Sequence, residues 1–193
     1  ADYSIYKVIS GLSTPLIAFA LSTYLLKNFY DSLKNTANNF IINAFLFSFL
    51  ITLALIVLSF ILQDTLKIFL QLQDYPVIVY AFINTFLFGI HTLLLTYYRA
   101  ESNIRNFFIS NLVVFFITVG GVLLLSNSNF MNLKLVLITH MIGYLSSICI
   151  GLIFFIQFQK KDFSLDRLLL KKAIQFSIPL VLYSIFTQIY TGA

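Results

Sequence analysis

Six long runs of the sequence contain no charged side chain, and each is about as long as a membrane span. A helix of about 20 residues, rising about 1.5 Å per residue, crosses the roughly 30 Å hydrocarbon core of a bilayer. We therefore predict an all-α fold, a polytopic transmembrane helix bundle that forms a single membrane domain over residues 1–193. The predicted spans lie at about 8–26, 40–62, 75–98, 106–125, 135–158 and 173–193.

The composition excludes a water-soluble globule. Hydrophobic residues make up 60% of the chain and charged residues 10%, whereas a soluble domain carries about 25% charged residues. The single cysteine, Cys149, allows no intrachain disulfide and no CxxC metal or redox motif. The net charge of +5 is spread over short connections and forms no continuous basic surface, so we expect membrane lipids and not nucleic acid as partners.

The basic residues predict the orientation of the spans. One set of alternating connections holds nine of the twelve Lys and Arg residues: Lys27, Lys34, Arg99, Arg105, Lys160, Lys161, Arg167, Lys171 and Lys172. The other side holds Lys7, Lys67 and Lys134. Because cytoplasmic loops carry the excess of Lys and Arg, we place Ala1 outside the membrane.

The third run, 75–98, carries a polar face and a defined end. Asn84, His91 and Tyr98 recur every seven residues, so they share one side of a helix. Polar groups exposed to hydrocarbon lack partners, so this side is expected to face protein or water. The run ends on two tyrosines followed by Arg99, the aromatic and basic exit typical of the cytoplasmic interface.

Small residues recur every four positions in two other runs. They are Ser10, Thr14, Ala18 and Ser22 in the first run, and Gly143, Ser147 and Gly151 in the fifth. Such seams let a neighbouring helix approach closely. Pro15 also lies in the first run, and because proline removes a backbone hydrogen bond we expect a kink there, near the middle of the membrane.

No catalytic or metal-binding pattern is present in the sequence. It has no HExxH motif, paired carboxylates or glycine-rich phosphate loop, and every Asp and Glu lies in a connection. We therefore expect no enzyme activity, catalytic residue, cofactor or metal.

Six residues remain as candidates for contact with a substrate or a polar cavity. His91 and His140 could form a proton relay or contact a polar substrate, and the other interpretation is a neutral histidine hydrogen-bonded to a neighbouring helix. Asn84 has the same two interpretations, and Gln188 lies on the polar face of the last run. Arg99 and Arg105 are either membrane anchors or a pair of cations that binds a diphosphate, and both interpretations stay open.

Three passages give the chain a family resemblance. They are ADYSIYKVISG at 1–11, TYYRAESNIRNFFISN at 96–111 and LLLKKAIQFSIPLVLYSIFTQIYTGA at 168–193. They are similar to passages in the N-terminal half of the polysaccharide repeat-unit (O-antigen type) flippases, which belong to the multidrug, oligosaccharidyl-lipid and polysaccharide exporter superfamily. Ser4 stands where that family usually has glycine.

The resemblance implies that this chain is most of one lobe of a two-lobed exporter and a fragment of a longer protein. The implied function is alternating-access flipping of a polyprenyl-diphosphate-linked oligosaccharide across the bacterial cytoplasmic membrane, for surface polysaccharide biosynthesis. The implied partners are the lipid-linked oligosaccharide, the second lobe and a glycan polymerase, and Arg99 matches the family's arginine. The alternatives are a cation-coupled multidrug exporter, or a membrane-embedded glycan polymerase or acyltransferase.

Overall fold

The computed structural model describes residues 2–33, 36–70, 76–127, 132–157 and 166–191. Across these ranges every regular element is a helix, which confirms the predicted all-α fold. The helices are α1 (Asp2–Ala18), α2 (Leu21–Asn28), a π-helical turn (Phe29–Leu33), α3 (Ala37–Ile61), α4 (Gln63–Leu70), α5 (Pro76–Ala100), α6 (Ile104–Asn127), α7 (Leu133–Gln157) and α8 (Arg167–Thr191).

Five of these helices are long and apolar enough to cross a membrane, and α1 with α2 adds a sixth if the bent pair is one span. The surface of α3 shows why the bundle needs lipid. Its exposed side chains include Phe49, Leu50, Leu53 and Ile61, while its buried polar side chains are Asn43, Ser48, Thr52 and Ser59. This distribution is the reverse of that in a water-soluble helix, so the apolar face is suited to hydrocarbon.

Helix α5 lies at the centre of the bundle. It packs against α1, α2, α3, α6 and α7. Asn84, His91 and Tyr98 are all buried on its inner side, at 4%, 5% and 2% exposure. The predicted polar face of the third run therefore faces protein, as expected from the cost of exposing such groups to lipid.

The seam of small residues on α1 packs against α5. A Cβ added at Gly89 would lie 3.4 Å from the Cβ of Ala18, so the two backbones approach closely there. The hydroxyls of Ser10 and Thr85 share a hydrogen bond of 3.1 Å nearer the start of both helices. The packing role predicted for Ser10 and Ala18 is confirmed.

Helices α6 and α7 form a second close pair, and both also contact α5. A Cβ added at Gly143 would lie 2.9 Å from Thr118 Cγ2, and one added at Gly121 would lie 2.2 Å from Thr139 Cγ2. Further along α7, the same kind of contact is made with α5, because a Cβ at Gly151 would lie 2.9 Å from the Tyr98 hydroxyl. The small residues of α7 thus allow close packing against both α6 and α5.

The expected kink at Pro15 is wrong in position. Helix α1 continues through Pro15 to Ala18, and the carbonyl of Pro15 accepts a hydrogen bond from the Phe19 amide. The chain bends by 41° after that turn. Phe19 and Ala20 have left-handed backbone angles, with φ of 46° and 48°, and these two residues rather than the missing proline amide redirect the helix.

Candidate functional site

A polar cavity of about 220 Å³ lies between the N-terminal halves of α1, α5 and α7. These three helices run in the same direction along the bundle, so their early residues meet at one end. The lining residues that carry polar groups are Tyr3, Tyr6, Ser10, Asn84, Thr85, His140 and Tyr144. The Lys134 ammonium lies 5.9 Å from the centre of the Tyr80 ring at the same end, where α5 and α7 begin.

Asn84 occupies the α5 wall of the cavity. Its Nδ2 donates a hydrogen bond of 2.8 Å to the hydroxyl of Tyr6 on α1. Its Oδ1 is buried, and within the part of the chain that the structure describes it has no hydrogen-bond partner. A buried unpaired acceptor costs about 1–3 kcal/mol, so this wall retains an unused capacity to accept a hydrogen bond.

Three hydroxyls extend the α1 and α5 walls. Thr85 Oγ1 lies 3.1 Å from Ser10 Oγ and accepts a hydrogen bond of 3.3 Å from Ser13. Thr85 and Ser13 are almost fully buried, at 2% and 3% exposure. The group joins the two helices through neutral hydrogen bonds and puts no charge into the bundle.

Both histidines lie close to Tyr144, which is on α7. The His140 ring is 6.5 Å from the Tyr144 ring, and the His91 ring is 5.5 Å from it, between ring centres. His140 lines the cavity, whereas His91 lies outside the residues that line it. His91 Nδ1 instead shares a hydrogen bond of 3.0 Å with the hydroxyl of Ser147. That bond ties α5 to α7, as the structural interpretation of this histidine requires.

Arg99 and Arg105 lie at the opposite end of the bundle, around the α5–α6 connection. The Arg99 guanidinium is exposed and sits 5.5 Å from the centre of the Phe107 ring. Arg105 lines an open groove of about 780 Å³ that also includes Tyr30 and Glu101, and Arg99 is not among the residues that line it. The structure therefore does not bring the two arginines to one surface of that groove.

Hydrogen bonds hold the shape of this groove. The Tyr30 hydroxyl donates to the carbonyl of Ala100 over 2.8 Å, which fastens the π-helical turn to the end of α5. The Tyr97 hydroxyl donates to the Glu101 carboxylate. Ser102 has a φ of 57°, and the left-handed residue turns the chain from α5 into α6.

Gln188 lies far from both sites along the chain, in the last turns of α8, and is half-buried. Among the described residues that line the polar cavity, none comes from α8. On the same helix Ser177 is fully buried, and its hydroxyl has no hydrogen-bond partner among the described residues. The structure does not join Gln188 to the other candidates.

The candidates drawn from the sequence left out most of the α1 wall and Tyr144, which lies close to both histidines. Tyr3, Tyr6 and Ser10 recur at helical spacing, as do His140 and Tyr144, so their faces were visible in the sequence. The helix that packs against each face could not be predicted, because the spacing of residues does not show which helix lies opposite.

A scan against models of protein families, a search of curated proteins and a search of solved structures find no match to this chain. The fold and the surface define its class. It is an all-α, multi-pass membrane protein with a polar cavity at one end of its bundle, and the described residues that line this cavity include no Lys, Arg, Asp or Glu.

Proposed function

We propose that this chain is most of one lobe of an exporter that flips a lipid-linked oligosaccharide, carried on a polyprenyl diphosphate, across the bacterial cytoplasmic membrane. The observation that carries the proposal is the polar cavity lined by Asn84, Thr85, His140 and Tyr144 inside an apolar bundle. The three passages similar to the polysaccharide flippases support it.

Polar side chains around an open space add nothing to the packing of a helix bundle. Burying them without partners is costly, and in membrane proteins such groups usually mark a path for a polar substrate. In two-lobed transporters a site inside the bundle becomes accessible from each side in turn as the lobes rock. The cavity between α1, α5 and α7 is suited to that role in one lobe.

The charge distribution favours a glycan over a cationic drug as cargo. A cation held in a low-dielectric bundle needs a carboxylate beside it. All seven Asp and Glu residues of the sequence lie outside the six uncharged runs. The cation-coupled multidrug exporter remains the alternative, and it would need an acidic residue from another part of the protein.

The diphosphate needs a cation near the membrane surface. Arg99 is the stronger candidate of the two arginines, because its guanidinium is exposed and touches only an aromatic face among the contacts described. A guanidinium can hold two phosphate oxygens at once, which an ammonium does not do in the same geometry. Arg105 lines the groove that Glu101 also lines, so an anionic ligand there would meet a carboxylate as well as the guanidinium.

Complementation in a bacterial host that lacks its own flippase tests the proposal. The full-length protein should restore surface polysaccharide, Arg99→Ala should impair export, and Arg99→Lys should rescue it partly. Arg167→Ala is the matched control, since it removes one exposed positive charge at the start of α8. Full export by Arg99→Ala would remove this arginine from the mechanism. Drug resistance without glycan export would move the function to the multidrug branch.

A further inference from the structure

The chemistry of the polar cavity indicates a neutral ligand. Of the described residues that line it, none carries a formal charge at neutral pH apart from what His140 gains on protonation. A diphosphate would find no cation in this lining. The cavity offers instead the hydroxyls and amides of Ser10, Asn84 and Thr85, which can both donate and accept hydrogen bonds.

Aromatic rings form much of the remaining wall. Phe88 and Tyr144 pack edge to face, with ring centres 5.7 Å apart, and both line the cavity. Tyr3 and Tyr6 stack on each other at 6.3 Å on the α1 side and line it too. Aromatic faces pack against apolar C–H surface, while a polar rim bonds hydroxyls. A ligand ring that has both an apolar C–H face and hydroxyl groups at its edge fits this wall.

The volume of the cavity suits a ligand of about one ring. Its volume is about 220 Å³. Pockets for drug-sized ligands have volumes of about 300–1,000 Å³. The cavity is thus below the range for a large amphipathic drug.

We propose that this cavity is a binding site for a single neutral, hydroxyl-rich ring, that is, for one uncharged sugar residue. Asn84, whose Oδ1 is buried without a partner, supplies the acceptor that a sugar hydroxyl completes. Tyr6 holds the amide of Asn84 in place through its hydroxyl. The inference rests on the proposed function for the source of the sugar, namely the transported glycan, and free sugar is the other source of the same chemistry.

The site is separate from the end of the bundle that would hold the diphosphate. Arg99 lies fifteen positions after Asn84 on α5, and at about 1.5 Å per residue the two are about 22 Å apart along the helix. This distance exceeds the link between a diphosphate and the sugar attached to it. With the diphosphate at Arg99, the cavity takes a sugar further along the glycan, and so it selects among glycans independently of the lipid carrier.

Binding of free glycosides tests the site directly. The full-length protein in lipid nanodiscs is titrated with uncharged methyl glycosides and with a uronic acid of matched ring size, by saturation-transfer NMR. We expect saturable binding of at least one uncharged glycoside and about tenfold weaker binding of the acid. Asn84→Leu and Tyr6→Phe should each weaken glycoside binding, the former by about tenfold.

Asn43→Leu is the matched control. Asn43 is equally buried, at 3% exposure, but lies on α3, where its Nδ2 donates to the carbonyl of Asn39. Unchanged glycoside binding in both Asn84→Leu and Tyr6→Phe would overturn the site, as would the absence of saturable binding by any uncharged glycoside. Tyr6→Phe keeps the ring and so tests the site even if Asn84→Leu does not fold. Competition by the lipid-linked oligosaccharide assigns the site to the glycan, whereas its absence assigns it to free sugar.

The export assay separates this inference from the proposed function. If the full-length protein exports no glycan but Asn84→Leu still weakens glycoside binding, the flippase proposal fails and the sugar site stands. If export is restored while both cavity variants bind glycosides as the wild type does, the sugar site fails and the flippase proposal stands.

Discussion

Replacing Gly121 by alanine tests the close crossing of α6 and α7. The added Cβ would lie 2.2 Å from Cγ2 of Thr139, well inside any real contact. Thr139 has little freedom to turn away, because its side chain is branched at Cβ and its hydroxyl bonds the carbonyl of Leu135 over 2.8 Å. The two helices must therefore separate or Thr139 must give up that bond.

Gly120 provides the matched control one position earlier. A Cβ added there meets no atom within 4 Å. Both substitutions gain about 1 kcal/mol of helix propensity, which cancels in the comparison. The overpacking at Gly121 costs about 1–3 kcal/mol. We therefore expect Gly121→Ala to be about 1–3 kcal/mol less stable than Gly120→Ala.

Reversible unfolding of the purified protein in mixed micelles, as the SDS fraction rises, measures this difference. Thr139→Ser supplies the rescue, because serine lacks Cγ2 and keeps the hydroxyl. The next closest atoms of residue 139 lie at 3.4 and 3.5 Å from the added Cβ, which is ordinary contact. Equal stability of Gly120→Ala and Gly121→Ala would refute the crossing, and so would a double variant that remains as unstable as Gly121→Ala.

Two further predictions concern the bend and the orientation. Ala20 has a left-handed φ of 48°, which costs roughly 1–2 kcal/mol in a residue with a Cβ. Ala20→Gly should therefore stabilise the protein in the same unfolding assay. A fall in the free energy of unfolding of more than about 1 kcal/mol would contradict the bend. Ser102 and Thr65 are both exposed, in connections predicted to be cytoplasmic and outside respectively. In a Cys149→Ala background, Ser102→Cys should therefore resist an impermeant thiol reagent in intact cells, while Thr65→Cys reacts. The reverse labelling pattern would show that the predicted orientation is inverted.

The sequence was enough to predict the all-α fold and the inward-facing polar side of the third run. In hydrocarbon every backbone group must be bonded within its own segment, so long uncharged runs become helices whatever surrounds them. The same physics made the face of Asn84, His91 and Tyr98 predictable, since a polar face cannot turn to lipid. The exact helix ends were not predictable from charge alone, because α8 begins at Arg167, before the uncharged run starts.

The bend and the cavity depend on tertiary structure. Phe19 and Ala20 carry no sequence signal for left-handed backbone, which glycine or asparagine would have provided. Tyr6 and Asn84 are 78 positions apart and meet only because α1 lies against α5. The spacing of residues along the sequence assigns each side chain to a face of its own helix, but it does not show which other helix packs against that face. That choice is made by the close approaches of small residues such as Ala18 and Gly89, and it decides which polar groups share the cavity.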